Sequence, residues 1–374
     1  MRRTIKVLMI VKEFEIQGIS KVILNYVENI NYKKFQIDVL AGDQYDKGNL
    51  ERLKLCGGKF WCVKGRDKNI LAYIYRLSRI IKRESYDIVH VHGNSAMITP
   101  ELVAAKLGGA PVRIAHSHNI TCNHPWLDKI LHPLFFSLYT NALACSEKAG
   151  KWMFKNHSFD IINNGIDTSK YVFDNENRKK LREKLGIKNE ILIGHVGGFN
   201  QQKNQKRLLE IFETICKSCK NVKLIFVGDG ERRPEIEKLA KAHGLADRVI
   251  FFGQCQSTGA ILSAMDLFVF PSLYEGFGLA LLEAQVSGLA CIASDMVPQE
   301  ANVTGCIQYL SLSDPNEIWK ETIYLEASKM DNLQNRMARS KEACKILMIK
   351  KYEIRCVTKQ LELLYDKVLA VRLK

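Results

Sequence analysis

Apolar segments of four to seven residues recur along the chain, and helical stretches separate them. In the first half, the apolar segments cover residues 5–11, 35–40, 88–91, 112–115 and 141–144. Between them, residues 22–30 and 70–81 carry apolar side chains at the three- and four-residue spacing of an amphipathic helix. Continuous apolar strands that alternate with helices predict a parallel sheet with helices on both faces.

The same alternation starts again after a turn-rich stretch at residues 163–167. Apolar segments follow at 191–196, 222–227, 249–252, 267–270 and 290–293. The length of 374 residues is typical of two domains. We therefore predict an α/β protein with two doubly wound, Rossmann-like domains at residues 1–168 and 169–351. Residues 352–374 are predicted to form a C-terminal helix, which we expect to return to the first domain.

Composition and charge limit the classes of function. Apolar residues make up 47% and charged residues 25% of the chain, as in ordinary globular proteins. The net charge is +15, and residues 1–170 hold 25 basic against 15 acidic side chains, which predicts an anionic partner. The eleven cysteines are spread along the chain, which indicates reduced thiols. Because no segment has the pattern of an export signal or a transmembrane helix, we expect a cytoplasmic protein.

The most informative segment is residues 270–284, with the sequence FPSLYEGFGLALLEA. A buried strand is predicted to end near Pro271, and a loop with two glycines leads to a helix near Leu279. Glycines allow a ligand to approach the backbone, and the free amides of a helix start favour phosphate. Glu275 and Glu283 flank this junction, and a carboxylate in the helix can accept two hydrogen bonds from a sugar diol. The alternative is an ordinary strand–loop–helix with solvated glutamates.

This segment resembles the E-x7-E element of the retaining glycosyltransferases of family 4, which have the GT-B fold. The resemblance covers nearly all of the chain, because weaker landmarks of the same family follow in order. They are EIQG at 15–18, HSHN at 116–119, ACSE at 144–147, NGID at 164–167, VGGF at 196–199, QKN at 202–204, VGDG at 227–230 and FG at 252–253. The resemblance implies two Rossmann-like domains that face a central cleft, with the acceptor bound by the N-terminal domain and the nucleotide sugar by the C-terminal domain.

The resemblance also implies roles for residues on the donor side. Glu283 would hold the ribose hydroxyls of the nucleotide. Lys203 would neutralise the diphosphate as it leaves. Glu275 would bind the donor sugar and its diphosphate, together with a run of backbone amides. These amides belong to Gly276, Phe277, Gly278 and Leu279.

In the N-terminal half, the resemblance implies that His116 lies beside the transferring sugar, so that His116, Glu275 and Lys203 are the catalytic candidates. Gly18 would let the N-terminal loop approach the donor phosphates. His118 and Asn119 are candidates on the acceptor side.

The chain departs from the family pattern at two places. Gly198 occupies a donor-binding position that commonly holds an arginine, which would act with Lys203 as a pair of phosphate cations. Donor binding then depends on Lys203, on the helix start, and on Arg207 or another cation. The N-terminal turn has Gln17 and Gly18 where a pair of glycines is common.

Four histidines occupy alternate positions on two predicted strands. His90 and His92 lie on one strand and His116 and His118 on the next, a spacing that suits a metal site. No carboxylate or cysteine pattern completes such a site. We therefore predict no bound metal and expect His90 and His92 to pack at strand ends.

Residues 64–83 read as a basic amphipathic helix, and residues 126–136 form a second segment rich in apolar and aromatic side chains. Both features suit a peripheral contact with an anionic membrane, on the inner face of the plasma membrane. The alternative is that one face of each helix packs on the sheet while the lysines are solvated. In the family, such features accompany acceptors anchored on lipid.

The resemblance thus predicts an EC 2.4 enzyme that transfers a sugar from a nucleoside diphosphate, expected to be UDP, to an acceptor hydroxyl with retention. The expected acceptor is a lipid-linked glycan in bacterial capsule or exopolysaccharide synthesis, and no cofactor is expected. Two alternatives keep the fold: a protein that binds nucleotide sugar without transfer, and a nucleotide-sugar epimerase. Nucleic acid is not expected as a partner, because the charge is dispersed and no recognition motif is present.

Overall fold

A computed structural model describes residues 3–16, 18–329 and 333–372. It divides into two compact units, here called unit 1 (residues 3–165 and 354–372) and unit 2 (residues 166–353). The predicted domain limits, 168 and 351, lie within three residues of these limits. Each unit has a parallel sheet with helices in the connections, so the predicted α/β class is confirmed.

Unit 1 is built on a parallel sheet. Its strands are β1 Ile5–Ile10, β2 Phe35–Ala41, β3 Phe60–Cys62, β4 Ile88–Gly93, β5 Val112–Ser117, β6 Asn141–Ala144 and β7 Asp160–Ile161. The connecting helices are α1 Ile19–Asn29, α2 Lys47–Leu55, α3 Ile70–Glu84, α4 Thr99–Leu107, α5 Pro125–Leu138 and α6 Glu147–Phe154. The strand order is β3-β2-β1-β4-β5-β6-β7.

The apolar strands of unit 1 lie in the interior because helices cover both faces of the sheet. Val7, Leu8 and Met9 of β1 are completely buried, which explains the unbroken apolar run in the sequence. Ser146 caps α6, since its hydroxyl accepts a hydrogen bond from the amide of Ala149.

Unit 2 repeats this plan. In chain order its elements are α7 Asn175–Lys184, β8 Ile191–Val196, α8 Gln205–Ser218, β9 Val222–Val227, α9 Arg233–Ala242, β10 Val249–Gly253, α10 Gly259–Ala264, β11 Leu267–Phe270, α11 Leu279–Val286, β12 Ala290–Ser294, β13 Ile307–Leu310, α12 Asn316–Ser328 and α13 Leu333–Ile349. The strand order is β10-β9-β8-β11-β12-β13, and all of the pairs are parallel.

The C-terminal helix α14 (Ile354–Arg372) belongs to unit 1. Its Leu361 and Tyr365 are completely buried, and its Glu362 carboxylate accepts a hydrogen bond from the amide of Asn31 at 2.8 Å. Among the residues that the structure describes, no helix has the combination of length and apolar character needed to cross a bilayer.

In both sheets the strand order reverses beside the first strand, between β1 and β4 and between β8 and β11. Open α/β sheets bind their ligands outside the carboxyl ends of the strands at such a reversal. In unit 2 the loops that follow β8 and β11, residues 197–204 and 271–278, therefore lie at one edge of the sheet. In unit 1 the same edge carries the ends of β4 and β5.

Candidate functional site

The two loops at the reversal point of unit 2 contact each other directly. The amide of Leu273 donates a hydrogen bond to the carbonyl of Gln202 at 2.8 Å. The side-chain amide of Asn204 donates to the carbonyl of Pro271 at 3.2 Å. These bonds hold the end of loop 197–204 against the beginning of loop 271–278, so the residues that the two loops carry have fixed relative positions.

Lys203 and Glu275 meet where these loops join. The Lys203 ammonium lies 2.6 Å from Oε1 of Glu275 and 4.6 Å from the centroid of the Phe270 ring. The Glu275 side chain is 6% exposed and that of Lys203 is 17% exposed, so the pair is largely shielded from water. An ammonium has three N–H donors, and this contact uses one of them.

Gly197 makes room for the Lys203 side chain. A Cβ atom on Gly197 would come within 3.1 Å of the Lys203 Cγ and Cδ atoms, which is tighter than ordinary contact. The lysine backbone is held as well, because its amide donates to the Asn200 side chain at 3.1 Å. The sequence reasoning quoted the VGGF segment only as a landmark and did not assign Gly197 this role.

Helix α11 begins at the end of loop 271–278 without a side-chain cap. Its N-cap residue is Gly278, in a left-handed conformation at φ 96° that favours glycine. The first amides of a helix have no partner within the helix and carry a partial positive charge. The amides of the predicted donor-binding run, Gly276 to Leu279, therefore lead into an anion-favouring helix start.

Glu283 lies in the second turn of α11 and is almost completely buried. Its Oε2 accepts a hydrogen bond from the hydroxyl of Thr258 at 3.0 Å. Thr258 lies between β10 and α10, and the sequence reasoning did not single it out. A buried carboxylate held in one orientation by a hydroxyl suits the recognition of a diol better than a solvated glutamate would.

The structure shows what Gly198, at the position of the missing arginine, and Arg207, its possible replacement, contact. The carbonyl of Gly198 accepts a hydrogen bond from the Gln205 side chain at 2.9 Å, so this position serves to brace the loop. The Arg207 guanidinium binds the carbonyl of Asp314 and the side chain of Asn316. Arg207 thus joins α8 to the loop before α12, and the expectation that it could replace the arginine is not supported.

His195 supports the site from beneath and was missed by the sequence reasoning. Its Nδ1 donates to the carbonyl of Val269 at 3.0 Å, and its ring stacks on Phe270 at 5.5 Å. Burial lowers the pKa of the His195 imidazole to about 4, with a smaller contribution from the charge of Lys203. The neutral ring therefore positions the aromatic face over which Lys203 lies.

In unit 1 the structure brings four buried histidines together. This histidine cluster consists of His90 and His92 on β4 and of His116 and His118 at the end of β5. Nε2 of His90 lies 3.1 Å from Nδ1 of His116, and Nδ1 of His92 lies 2.9 Å from Nε2 of His118. Burial lowers the pKa of all four rings, to about 3 for His118, so the cluster is neutral.

The cluster has the spacing of a metal site but not the orientation of one. Nitrogen atoms of His90, His92 and His116 lie within 4.8 Å of one another. The rings of His90 and His92, however, stack at 4.1 Å with planes only 23° apart. Imidazole lone pairs lie in the ring plane, so these two do not converge on one ion. His90 does more than pack at a strand end, because it hydrogen-bonds His116.

Two further predicted residues lie elsewhere in unit 1. Asn119 is half-buried and its side-chain oxygen accepts a hydrogen bond from the amide of Ile120. Gly18 is the N-cap of α1 at φ 62°, and no atom lies within 4 Å of where a Cβ would be. Its left-handed backbone, and not a lack of space, favours glycine there. Gln17, the other residue of the predicted turn, lies outside the described residues.

Two family models match the chain. "Glycosyltransferase Family 4" matches residues 16–170, and "Glycosyl transferases group 1" matches residues 177–306. EpsF of Bacillus subtilis (strain 168), assigned as a glycosyltransferase, is 30% identical over 326 residues, which cover 82% of this chain and 83% of EpsF. An Escherichia coli UDP-Gal:alpha-D-GlcNAc-diphosphoundecaprenol alpha-1,3-galactosyltransferase is 28% identical over 299 residues, which cover 74% of this chain and 75% of that enzyme.

The fold has matches among solved structures. The crystal structure of Anabaena HepE in complex with UDP and glucose superimposes with a TM-score of 0.79 at 16% identity, and the match covers 97% of this chain and 100% of that one. This likeness shows the GT-B fold. Together with the two family models and the similarity to EpsF, it means that the chain belongs to glycosyltransferase family 4 and is a glycosyltransferase.

Proposed function

We propose that this glycosyltransferase transfers a sugar from a UDP-sugar to an acceptor hydroxyl and retains the anomeric configuration. In this proposal residues 166–353 bind the donor and unit 1 binds the acceptor. The observation that carries it is the contact of Lys203 with Glu275, beside the uncapped start of α11, at the reversal point of the unit 2 sheet. It is supported by the Escherichia coli relative, which is named for UDP-galactose, and by HepE, which was crystallised with UDP and glucose.

The donor diphosphate is the group that this edge of unit 2 suits best. Lys203 supplies a fixed positive charge and retains N–H donors for phosphate oxygens beyond the bond to Glu275. The amides from Gly276 to Leu279 add the positive end of a helix, which favours phosphate. As the bond between sugar and phosphate breaks, negative charge grows on the leaving oxygen. Charges that are already in place stabilise it without a reorganisation of the site.

The two glutamates divide the remaining donor contacts. Glu275 is held by Lys203 through Oε1 and is assigned to the hydroxyls of the donor sugar. Glu283, oriented by Thr258, is assigned to the ribose hydroxyls of the nucleotide. A mutation of either carboxylate to the isosteric amide keeps the shape and removes the charge, so it separates recognition from packing.

His116 is assigned to the transferring sugar, with His118 and Asn119 on the acceptor side and Gly18 near the phosphates. Burial lowers the pKa of the His116 and His118 imidazoles, which makes them weak bases, so a mechanism with a strong protein base is not favoured. We assign no protein nucleophile. The leaving phosphate itself takes the proton of the acceptor hydroxyl on the face from which it departs, which retains the configuration.

The proposed acceptor is a glycan on a lipid diphosphate carrier, in capsule or exopolysaccharide assembly. The Escherichia coli relative is named for such an acceptor. On α5 the side chains of Trp126, Ile130 and Leu134 form an exposed apolar stripe at four-residue spacing, whereas Phe135 is buried. An exposed stripe of this kind suits the interface of a bilayer.

The basic face of α3 adds the charge that an anionic surface attracts. Lys82 and Arg83 of α3 are exposed, and the Arg83 guanidinium also lies 3.2 Å from Glu84. Arg66, which precedes the helix, pairs with the buried Glu101. We propose a peripheral contact through α3 and α5 on the inner face of the plasma membrane. Removal of Lys82 and Arg83 is expected to lower sedimentation with acidic liposomes, whereas a control at the exposed Lys179 and Lys180 of unit 2 is not. Equal binding of both variants would contradict the contact.

The decisive experiment for the function is a transfer assay followed by NMR of the product. The protein is incubated with a panel of UDP-sugars and a lipid-diphosphate glycan, and the anomeric configuration of the new linkage is compared with that of the donor. We expect release of UDP and a product with the donor's configuration. A single product of inverted configuration would contradict the retaining mechanism, and the absence of transfer with every donor would contradict the enzyme assignment for these substrates.

A second candidate is favoured by Gly198. With glycine at the position of the usual arginine, the site has one phosphate cation fewer, and a protein that binds nucleotide sugar without transferring it would retain the remaining contacts. An epimerase is a variant of this candidate. Incubation of the protein with a nucleotide sugar and no acceptor distinguishes them, because an epimerase converts the free nucleotide sugar and a binding protein leaves it unchanged.

A further inference from the structure

A buried chain of hydrogen bonds runs from the C-terminal helix to His116. The Tyr365 hydroxyl on α14 lies 2.8 Å from Nδ1 of His90, and Nε2 of His90 lies 3.1 Å from Nδ1 of His116. All three side chains are completely buried. The rings of His90 and His116 are nearly parallel, 10° apart, and the Tyr365 ring meets His90 at its edge.

Which atom donates in each of these hydrogen bonds is determined at the Tyr365 end of the chain of bonds. A buried hydroxyl gains free energy by donating to an acceptor within reach, and the Tyr365 hydroxyl lies within hydrogen-bond distance of Nδ1 of His90. Tyr26 is the neighbouring buried tyrosine, and among the described residues its hydroxyl has no hydrogen-bond partner, so it does not accept the proton. Nδ1 of His90 is therefore the acceptor for Tyr365.

This direction fixes the two imidazoles in turn. With Nδ1 of His90 as an acceptor, the neutral ring carries its hydrogen on Nε2 and donates it to Nδ1 of His116. His116 must then carry its own hydrogen on Nε2. That nitrogen is buried and has no partner among the described residues. Burial, with His118 and His92, keeps the pKa of His116 well below its ordinary value, so the ring is not protonated twice.

We propose that Tyr365 is a positioning residue that holds His116 as the Nε2–H tautomer, so that His116 donates a hydrogen bond in the reaction and does not act as a base. The inference rests on the proposed function, in which His116 lies beside the transferring sugar. A neutral donor there binds a hydroxyl oxygen of the sugar and fixes its orientation. The C-terminal helix thereby determines the chemistry of a residue 249 positions earlier in the chain.

The contacts of α14 with β2 and the loop before it fix the position of the Tyr365 side chain. Glu362, one turn before Tyr365, accepts the amide of Asn31 at 2.8 Å, and Asp366 pairs with Lys34. The Tyr365 ring also packs on Phe35 at 5.7 Å. These contacts hold the helix against β2 and the loop before it, so the hydroxyl reaches His90 from a fixed base.

The tautomer is measured directly by NMR of protein labelled with 15N-histidine, in which the nitrogen that bears the hydrogen is identified from its chemical shift and couplings. The His116 signals are assigned by comparison with His116→Gln. We expect the Nε2–H tautomer in the wild-type chain and its loss, wholly or to a mixture, in Tyr365→Phe. The Nδ1–H tautomer in the wild type would overturn the inference, and this readout does not depend on activity.

Kinetics with matched variants tests the consequence. Tyr365→Phe is expected to lower kcat about tenfold or more and to leave the donor KM within about twofold, since the loss concerns orientation in the reaction. Tyr26→Phe removes the hydroxyl of an equally buried tyrosine, one without a hydrogen-bond partner in the described part of the chain, and is expected to leave kcat unchanged. Equal losses in both variants, or an unchanged kcat in Tyr365→Phe, would overturn the positioning role. If no sugar is transferred from any donor, the proposed function fails, and the NMR measurement still tests the tautomer of His116.

Discussion

Replacement of Lys203 by methionine tests the energetic account of the candidate site. The change keeps an unbranched side chain of similar length and removes the ammonium that lies 2.6 Å from Glu275. Glu275 is 6% exposed and would be left as a buried carboxylate without its cation. Breaking a buried ion pair from one side costs about 3–5 kcal/mol.

The magnitude follows from the exposure of the pair. Because Lys203 is 17% exposed, water reaches part of the site, and we expect a loss at the lower end, about 3 kcal/mol. The double variant Lys203→Met/Glu275→Gln removes both charges. Its free energy of unfolding is expected to lie within about 1 kcal/mol of the wild-type value, because the uncharged pair leaves no buried charge without a partner.

Unfolding of unit 2 can be followed separately. Trp319 is completely buried in the core of unit 2, and the other three tryptophans of the chain lie in the first half at 61, 126 and 152. Urea titrations of fluorescence, in a background where these three are phenylalanine, report on Trp319 alone. A loss below about 0.5 kcal/mol for the single variant, or a double variant no more stable than the single, would refute the reasoning.

The remaining predictions concern stability. The histidine cluster has folded pKa values below the value of about 6.5 in an unfolded chain. Below pH about 6.5 the unfolded chain therefore binds protons that the native chain does not. For four rings, the free energy of unfolding is expected to be lower at pH 5.5 than at pH 7.5 by up to about 5 kcal/mol. Equal urea midpoints at these two pH values would contradict this. Gly230 has φ 155°, and a Cβ there would lie 2.5 Å from the Phe199 carbonyl oxygen, so Gly230→Ala should cost about 3 kcal/mol. Gly244 also has a left-handed backbone, but no atom lies within 4 Å of where a Cβ would be, so Gly244→Ala should cost about 1 kcal/mol. Equal melting temperatures for the two variants would show that the contact with Phe199 is not tight.

The fold was predictable where the sequence pattern and the buried structure coincide. Strand β11 is an unbroken apolar run, and β8 is interrupted only by Gly194 and His195, because helices cover both faces of the sheet. Strands β3 and β7, of three and two residues at the edges of the sheet, are too short and too exposed to give such a signal. Helix α4 was missed because its buried face includes polar side chains, among them Glu101, whose charge is balanced by Arg66.

The site was predictable in its parts and not in its contacts. The segment 270–284 and the family resemblance indicate Glu275, Glu283 and Lys203, but the contact between Lys203 and Glu275 joins residues 72 positions apart. It exists because β8 and β11 are neighbours in the sheet, which periodicity does not encode. The bond from Tyr365 to His90 spans 275 positions and depends on the return of α14 to unit 1, so it leaves no local signal.

His195 and Arg207 show that tertiary contacts, which the sequence does not display, determine which side chains serve the site. His195 belongs to the site without a motif, and Arg207 is expected there but makes its contacts elsewhere. His195 lies in an apolar strand and has no motif, yet it supports the ring beneath Lys203. Arg207 follows Lys203 by four residues, and the sequence suggests it as a second phosphate cation. Its guanidinium instead donates a hydrogen bond to the carbonyl of Asp314, in the loop before α12. Which cation faces a ligand depends on tertiary partners, and those partners come from elements distant in sequence.

The central claim is that unit 2 binds a uridine nucleotide through Lys203 and Glu283. Isothermal titration of the full chain with UDP, and with the other nucleoside diphosphates, tests it most directly. The wild type is compared with Lys203→Met and Glu283→Gln, and with Glu321→Gln at an exposed position on α12 as the control. We predict selective binding of UDP by the wild type and the control, and a large loss of affinity in both site variants. Equal affinity in all four proteins, or no binding of any nucleotide by the wild type, would contradict the account.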